Sequence, residues 1–377
     1  QQVAQRLQDS VRSSDMVAHL NGDEFVILLA HIIDPEVVML ILQKVMQCWT
    51  EPFQIESQLN LETQEIYLTC SIGVSLFPEH GIDAPTLLRN ADTAMYHAKS
   101  QGRNTYCFYT EAMTAAAFAH MQMENALRVA LQRQELYLVY QPQLDFATQH
   151  WSGMEVLLRW QHPRLGLVPP DQFIPLAEQS GLIREIGRWV LQQACIQGKT
   201  WLEQGVNCGC IAVNIASPQF QSGDLIPSVL EALAMSGFPA NQLELEVTEG
   251  FVMQQPQARI QELAQLRQMG VKIAIDDFGT GYSSLSYLKQ LPIDKLKIDQ
   301  SFVRDIPQDE DDMAIAQAVI ALGKALNLRI IAEGVETEEQ ANLLQNWGCH
   351  EAQGYLYSRP IAAAEIPPLL RKGLPSR

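Results

Sequence analysis

The alternation of apolar and polar positions changes character along the 377-residue chain. Up to about residue 108, short apolar runs at mixed periods predict an α+β array. Its elements are an opening helix, a hairpin around Asn21-Gly-Asp-Glu-Phe25, a helix near 35–50, a strand Ile66–Leu76, a helix Leu87–Ser100 and a strand Tyr106–Tyr109. Residues 109–123, rich in Ala and Met and free of Gly and Pro, predict a linker helix. From Glu124 onward, β-branched runs recur with amphipathic stretches between them. Strands are expected at Leu136–Leu144, Met154–Arg159, Cys210–Ile215, Leu243–Val247, Val271–Asp276, Lys295–Ile298 and Arg329–Ala332. Helices are expected at Pro170–Ser180 and Ile183–Gln204, and a last turn runs through Gln353-Gly-Tyr-Leu-Tyr. The expected division is therefore 1–108, 109–123 and 124–377.

These later runs end in polar residues: Glu155, Asn214, Glu246, Asp276-Asp277, Lys297, Glu333 and Gln353. Most lie roughly 20 to 36 residues apart, the repeat of one strand, one helix and two turns in an α/β, TIM-like (β/α)8 barrel. In such a barrel the strand ends meet at one mouth. The segment from Val271 to Gly281 says most, since a β-branched run leads into two adjacent carboxylates and a loop with glycines at alternate positions. Carboxylates buried together are costly without a cation. Because strand side chains alternate, Asp276 and Asp277 are expected to face different directions, one toward a first cation and its neighbour toward a second. A plainer reading stays open, in which one Asp caps a helix at Ser283-Ser284 and the other is solvated.

Composition narrows the choice. An apolar content of 47% with 18% charged residues fits a soluble chain with two cores. A net charge of −17 argues against a duplex nucleic-acid partner. No run of 18 apolar residues marks a membrane segment, so no membrane contact is expected within this chain. The opening Gln-Gln-Val-Ala-Gln-Arg-Leu reads as the middle of a helix, so a piece of a longer protein is expected. Seven cysteines form no C-x-x-C pair, and Cys208 and Cys210 read as core packing in a reducing cytoplasm. The eight histidines make no H-x-x-H, which disfavours histidine-based metal chemistry. The acidic run Asp309–Asp312 precedes the expected helix Met313–Leu326, where negative charge favours a helix start.

Taken in order and spacing, Glu155-Val-Leu-Leu-Arg159, Asn214, Glu246-Val-Thr-Glu249, Asp276-Asp-Phe-Gly-Thr-Gly-Tyr-Ser-Ser284, Lys297-Ile-Asp299, Glu333-Gly-Val-Glu336 and Gln353-Gly-Tyr355 resemble the EAL domain. The signature triplet departs from pattern as Glu155-Val-Leu, but the substituted position bears no metal-binding group. The resemblance implies metal-dependent hydrolysis of cyclic di-GMP to linear pGpG. Its alternative is a catalytically silent cyclic di-GMP receptor or scaffold. The oxygen ligands suit a two-ion site of Mg²⁺ or Mn²⁺ rather than zinc. By resemblance, Glu155, Asn214, Glu246 and Asp276 hold the first ion, and Asp277 and Glu333 complete the second.

Lys297 is expected to lower the pKa of the nucleophilic water or to stabilise charge in the transition state, acting with Glu155, Asp277 and Glu333. Arg159, on the face of Glu155 by period two, is a candidate fork onto phosphate. Gln141, Asp299, Glu336 and Gln353 are candidate contacts to guanine, ribose or metal-bound water. Glu249 resembles the family's loop-anchoring glutamate, and a homodimer through this domain is implied.

The earlier segments Asn21-Gly-Asp-Glu-Phe25, Ser71-Ile-Gly-Val-Ser75 and Asn90-Ala-Asp-Thr-Ala-Met-Tyr-His-Ala-Lys99 resemble the later part of a GGDEF, or diguanylate cyclase, domain. Asn21 replaces the first Gly, and the family's front half with its further metal-binding Asp has no counterpart here, so cyclase activity is not expected. Arg12-Ser-Ser-Asp15 resembles that family's inhibitory site, with Arg12 and Asp15 as contacts to cyclic di-GMP and GTP as the other candidate ligand. An ordinary surface ion pair is the competing reading. The expected location is the cytoplasm, alone or as the cytoplasmic part of a membrane-bound sensor.

Overall fold

The computed structural model describes residues 1–32, 35–56, 63–221, 223–254, 256–279 and 285–372. It divides into two units, Gln1–Met123 and Glu124–Arg377.

Within the second unit eight strands close into a barrel. They are β1 (Leu136–Asp145), β2 (His150–His162), β3 (Cys210–Asn214), β4 (Leu243–Thr248), β5 (Lys272–Phe278), β6 (Lys295–Ile298), β7 (Arg329–Ala332) and β8 (Glu351–Ala352). Neighbours from β2 to β8 pair in parallel. β1 runs antiparallel to both β2 and β8 and closes the ring. This departs from an all-parallel barrel for a local reason: Asp145 and His150 are joined by a tight turn whose N–H groups from Ala147 and Thr148 are held by the Asp145 carboxylate, so a hairpin takes the place of a crossover helix.

The outer faces of the strands carry the apolar core against the helices, with Trp160, Phe173, Trp201, Leu243 and Leu266 buried. Each such side chain contributes about 1.5–3 kcal/mol by leaving water. Where a helix packs closely on a strand the chain uses glycine: a Cβ on Gly198 would lie 3.1 Å from Ile211, and one on Gly323 would lie 2.6 Å from Ile330. The helix predicted at Met313–Leu326 spans Glu310–Ala325, and Asp309 caps it by accepting from the N–H groups of Asp311 and Asp312.

The inner faces are polar. Successive inward positions two residues apart place Glu244 and Glu246 on β4 and Lys295 and Lys297 on β6 in two stacked layers.

In the first unit, Met16–Asn21 and Glu24–Leu28 form the expected hairpin, with Gly22 at φ +53° in the turn. The single strand predicted at Ile66–Leu76 is two short ones, Thr63–Ile66 paired with Phe53–Glu56 and Ile72–Val74 paired in parallel with Tyr106–Phe108. Helix Ala84–Ser100 lies so close to Gly73 that a Cβ there would fall 1.9 Å from the carbonyl oxygen of Ala91. The helix predicted over 109–123 spans Glu111–Ala130.

Candidate active site

The mouth of the barrel is organised around one buried ammonium. Lys297, at the end of β6, is 0% exposed, and its Nζ lies 2.6 Å from Glu333, 2.8 Å from Glu246, 3.0 Å from Asp276 and 3.8 Å from Glu155. Four carboxylates from four strand ends thus face a single cation. Burial disfavours the charge on Lys297, but the carboxylates outweigh it and hold its proton more tightly than in a free lysine. Glu246 responds in the opposite sense, since burial and the negative charges of Glu155, Asp276 and Glu333 outweigh Lys297 and lift its pKa well above the usual range. Glu333 is pushed up to about 8, first by burial and then by Asp276 and Glu155 against the pull of Lys297.

Glu155 behaves differently because it is the best solvated by protein donors. Asn214 Nδ2 reaches its Oε1 at 2.7 Å, and Gln353 Nε2 donates to its Oε2. Burial raises its pKa, but Lys297 and these donors lower it by more, leaving it below the usual range.

Asp276 and Asp277 do not follow simple strand alternation. Asp277 sits at φ +53°, in the left-handed region, where the pairing register between β5 and β6 shifts between Ile275 and Phe278. The Asp277 N–H donates to Asp276 Oδ1 at 3.0 Å. Its own carboxyl is pushed up to about 6 by burial and then by the neighbouring charges of Asp276 and Asp299. Asp299 in turn accepts from the N–H of Ser301 at 2.9 Å.

Glu249 accepts from the N–H of Gly279 at 2.9 Å, tying its helix to the start of the loop after β5. The rest of that loop, including the alternative cap at Ser283-Ser284, lies outside the described residues.

The remaining candidates take no part in the ion pairs of Lys297. Arg159, on β2, is half-buried, and its Nη1 donates to the carbonyl of Leu158 at 2.8 Å. Among the described residues it makes no ion pair with the cluster. Glu336 is exposed. Gln141 is buried and donates to the carbonyl of Ser358 at 3.1 Å. In the first unit Arg12 is exposed, and the Asp15 carboxylate accepts from the backbone N–H groups of Arg12 and Ala30 at 3.0 and 3.2 Å. The competing reading, a surface ion pair between Arg12 and Asp15, gives way to a turn in which backbone N–H groups hold the carboxylate.

Sequence reading missed the layer beneath. Lys295 Nζ lies 2.8 Å from Glu244 and 2.9 Å from Glu351, all three buried within the barrel. The signal was present in Leu243-Glu-Leu-Glu-Val and Lys295-Leu-Lys-Ile, where charged residues at period two in strands flanked by apolar runs must face a closed interior.

The cluster fits added positive charge. Glu246 Oε1 is buried without a hydrogen-bond partner, and four carboxyl groups crowd one ammonium so closely that the charges on Glu246 and Glu333 are disfavoured until more positive charge arrives. The donor set is all oxygen, apart from the lysine, which suits a hard cation. Among the described residues no three acids are already drawn together as a ligand cage, because the Lys297 ammonium occupies the point on which they converge.

The profile of the EAL domain matches residues 124–360 and that of the diguanylate cyclase, GGDEF domain, matches residues 1–105. The bifunctional diguanylate cyclase/cyclic di-GMP phosphodiesterase MucR of Pseudomonas aeruginosa is 45% identical over 97% of this chain and 52% of its own length. The cyclic di-GMP phosphodiesterase NbdA of the same organism is 41% identical over 98% of this chain and 46% of its own length. The chain thus spans about half the length of these curated relatives. A solved structure described as the PaMucR phosphodiesterase in complex with c-di-GMP is 48% identical, superposes with a TM-score of 0.64, and covers 65% of this chain and 99% of its own. With the barrel, its polar mouth and a profile match over more than half of its length in agreement, the chain belongs to the EAL domain family.

Proposed function

We propose that the barrel unit hydrolyses cyclic di-GMP to linear pGpG in a metal-dependent reaction. The observation that carries this reading is the convergence of four carboxyl groups on one ammonium at the barrel mouth, which burial leaves hard to ionise together without a further cation. The relatives named as cyclic di-GMP phosphodiesterases, and the related barrel solved with c-di-GMP, support the substrate.

Glu155, Asn214, Glu246 and Asp276 would hold one Mg²⁺ or Mn²⁺, with Asp277 and Glu333 holding a second. When bound, such ions activate water and offset charge on a phosphodiester. Lys297 serves as a fixed positive charge and hydrogen-bond donor. A base role would demand a depressed pKa, and its surroundings drive that pKa the other way. Glu155, held by Asn214 and Gln353, is the most rigidly placed carboxylate. Asp277 and Glu333, whose protons burial and neighbouring carboxylates hold in the metal-free site, would give them up where a divalent ion takes their place.

Arg159, Asp299 and Glu336 present exposed surface for phosphate, ribose or base contacts, whereas the Gln141 and Gln353 amides are engaged by protein partners. Glu249 anchors the loop after β5 through Gly279.

Residues 1–108 act as a regulatory module in this reading, with Arg12 and Asp15 as the contact for cyclic di-GMP, and GTP as the other candidate ligand. A homodimer through the barrel unit and a cytoplasmic setting complete the proposal. No helix among the described residues is long and apolar enough to cross a membrane.

The test is to incubate the chain with cyclic di-GMP and Mg²⁺ or Mn²⁺, with and without EDTA, and to separate the nucleotides by chromatography. Metal-dependent appearance of pGpG is the expected result. Binding without conversion would replace the enzyme by a receptor.

A further inference from the structure

Beneath the Lys297 cluster lies a polar series for which the proposed reaction has no direct use. Lys295 Nζ, paired with Glu244 and Glu351, also donates to Gln143 Oε1 at 3.4 Å. Gln143 Nε2 donates to Gln353 Oε1 at 3.0 Å. Gln353 Nε2 donates to Gln141 Oε1 at 3.1 Å and to Glu155 Oε2. Every bond runs in one direction, from an ammonium that only donates toward a carboxylate that only accepts.

That direction matters because a carboxamide is nearly symmetric in shape, so its neighbours alone decide which end faces where. With Gln353 reversed, its carbonyl oxygen would face both the Glu155 carboxylate and Gln141 Oε1, and its NH₂ would face the NH₂ of Gln143. Reversal of Gln143 is blocked in the same way, since its NH₂ would meet the Lys295 ammonium. Gly153 makes the room: a Cβ there would lie 3.0 Å from Gln143 Oε1 and 2.9 Å from the carbonyl of Cys210. Gln143 is 0% exposed, so nothing else competes for its amide.

We infer that Gln143, seated on Lys295, is a positioning residue that fixes the side-chain amide of Gln353 and, through it, the Glu155 carboxylate. This rests on the proposed role of Glu155 as a metal ligand. Gln143 itself touches neither substrate nor ion.

The test uses the full chain labelled with ¹⁵N at glutamine, with the Gln353 side-chain NH₂ signal identified by its loss in Gln353→Met. Gln143→Met keeps volume and removes both donor and acceptor. In that variant the Gln353 NH₂ protons are expected to exchange with water at least about tenfold faster, and Mn²⁺ titrated alone into metal-free protein to bind about tenfold or more weakly, as when a ligand's orienting partner is lost. Added to Gln353→Met, Gln143→Met should cause no further loss of Mn²⁺ affinity.

A side chain that only fills space would lower the melting temperature, leave the Gln353 signal and the Mn²⁺ affinity as they were, and add its effect to that of Gln353→Met. That outcome overturns the inference. Should Gln143→Met not fold, Gln143→Glu keeps an acceptor for Lys295, removes the donor to Gln353, and carries the same readouts. If Glu155→Gln binds Mn²⁺ as tightly as the parent, the metal reading fails, and the Gln353 signal alone decides whether Gln143 orients the amide.

Discussion

Glu246 offers Oε2 to the Lys297 ammonium at 2.8 Å, while Oε1 of the same carboxylate stays buried with no partner. A further cation would pair that oxygen and let Glu246 ionise, where burial and its neighbours now disfavour the charge. Mn²⁺ added to EDTA-treated protein is expected to raise the melting temperature. At a hundred times its Kd a ligand contributes about 2.7 kcal/mol, roughly 5–10 °C for the melting of a unit the size of Glu124–Arg377. Calorimetry with and without Mn²⁺ checks this, and a melting temperature indifferent to saturating Mn²⁺ would remove the metal reading.

Glu246→Gln separates chemistry from folding. Burial and three neighbouring carboxylates make the charge on Glu246 unfavourable in the metal-free barrel. A neutral amide should therefore leave the metal-free melting temperature unchanged or higher, while turnover of cyclic di-GMP falls by more than about 100-fold. A variant that melts well below the parent, or that keeps its turnover, contradicts the assignment.

The closure of the barrel has its own pH dependence. Arg329 bridges Asp145 at 2.6 Å and Glu351 at 2.7 Å, joining the end of β1 to the start of β7 and to β8. Burial opposes the charge on Asp145, but the Thr148 N–H and Arg329 outweigh it, so its folded pKa lies below the usual value. The contribution is thus complete above the ordinary Asp pKa and is lost as the pH falls through the folded one. Asp145→Asn keeps the turn acceptor and removes the charge. It should cost about 1 kcal/mol in urea unfolding above about pH 5, with the difference closing as the pH falls through the lowered folded pKa of Asp145. A difference that stays constant with pH would show that the charge is not the cause.

Gly354, next to Gln353, lies against backbone. A Cβ there would fall 2.0 Å from the carbonyl oxygen of Val335 and 2.3 Å from its nitrogen. Gly354→Ala is expected to destabilise the barrel by about 3 kcal/mol or more. Because Val335 is two residues from Glu333 and Gln353 bonds to Glu155, Mn²⁺ affinity should fall as well. Denaturant unfolding and Mn²⁺ titration measure both, and an unchanged unfolding midpoint would mean that the loop yields without cost.

Much of this arrangement is legible in the sequence where one rule acts alone. Lys295–Ile298 and Arg329–Ala332 have the bounds that the sequence predicts, because each is a short segment flanked by turn residues with no helical period to compete. The hairpin at Asn21–Phe25 follows from its Gly in the turn. Elsewhere two rules compete. Ile66–Leu76 reads as one apolar run, but pairing with two different partners breaks it. The alternation that should part Asp276 from Asp277 fails because the chain enters a left-handed conformation at Asp277. The direction of β1 depends on a tight turn that periodicity does not register. Gln143 and Lys295 stayed hidden because polar residues at period two look solvent-facing until the ring closes over them.

Lys297 has a consequence for how the protein is controlled. A ring of acids that depended on metal to fold would rise and fall in amount with the ion supply. Here an ammonium built into the chain already occupies the point where the acids meet, so the barrel has an internal counter-ion at synthesis. In the proposed metal-dependent reaction, making the protein and arming it are then separate events: the quantity of barrel would follow expression, while the fraction able to act would follow the free ion concentration.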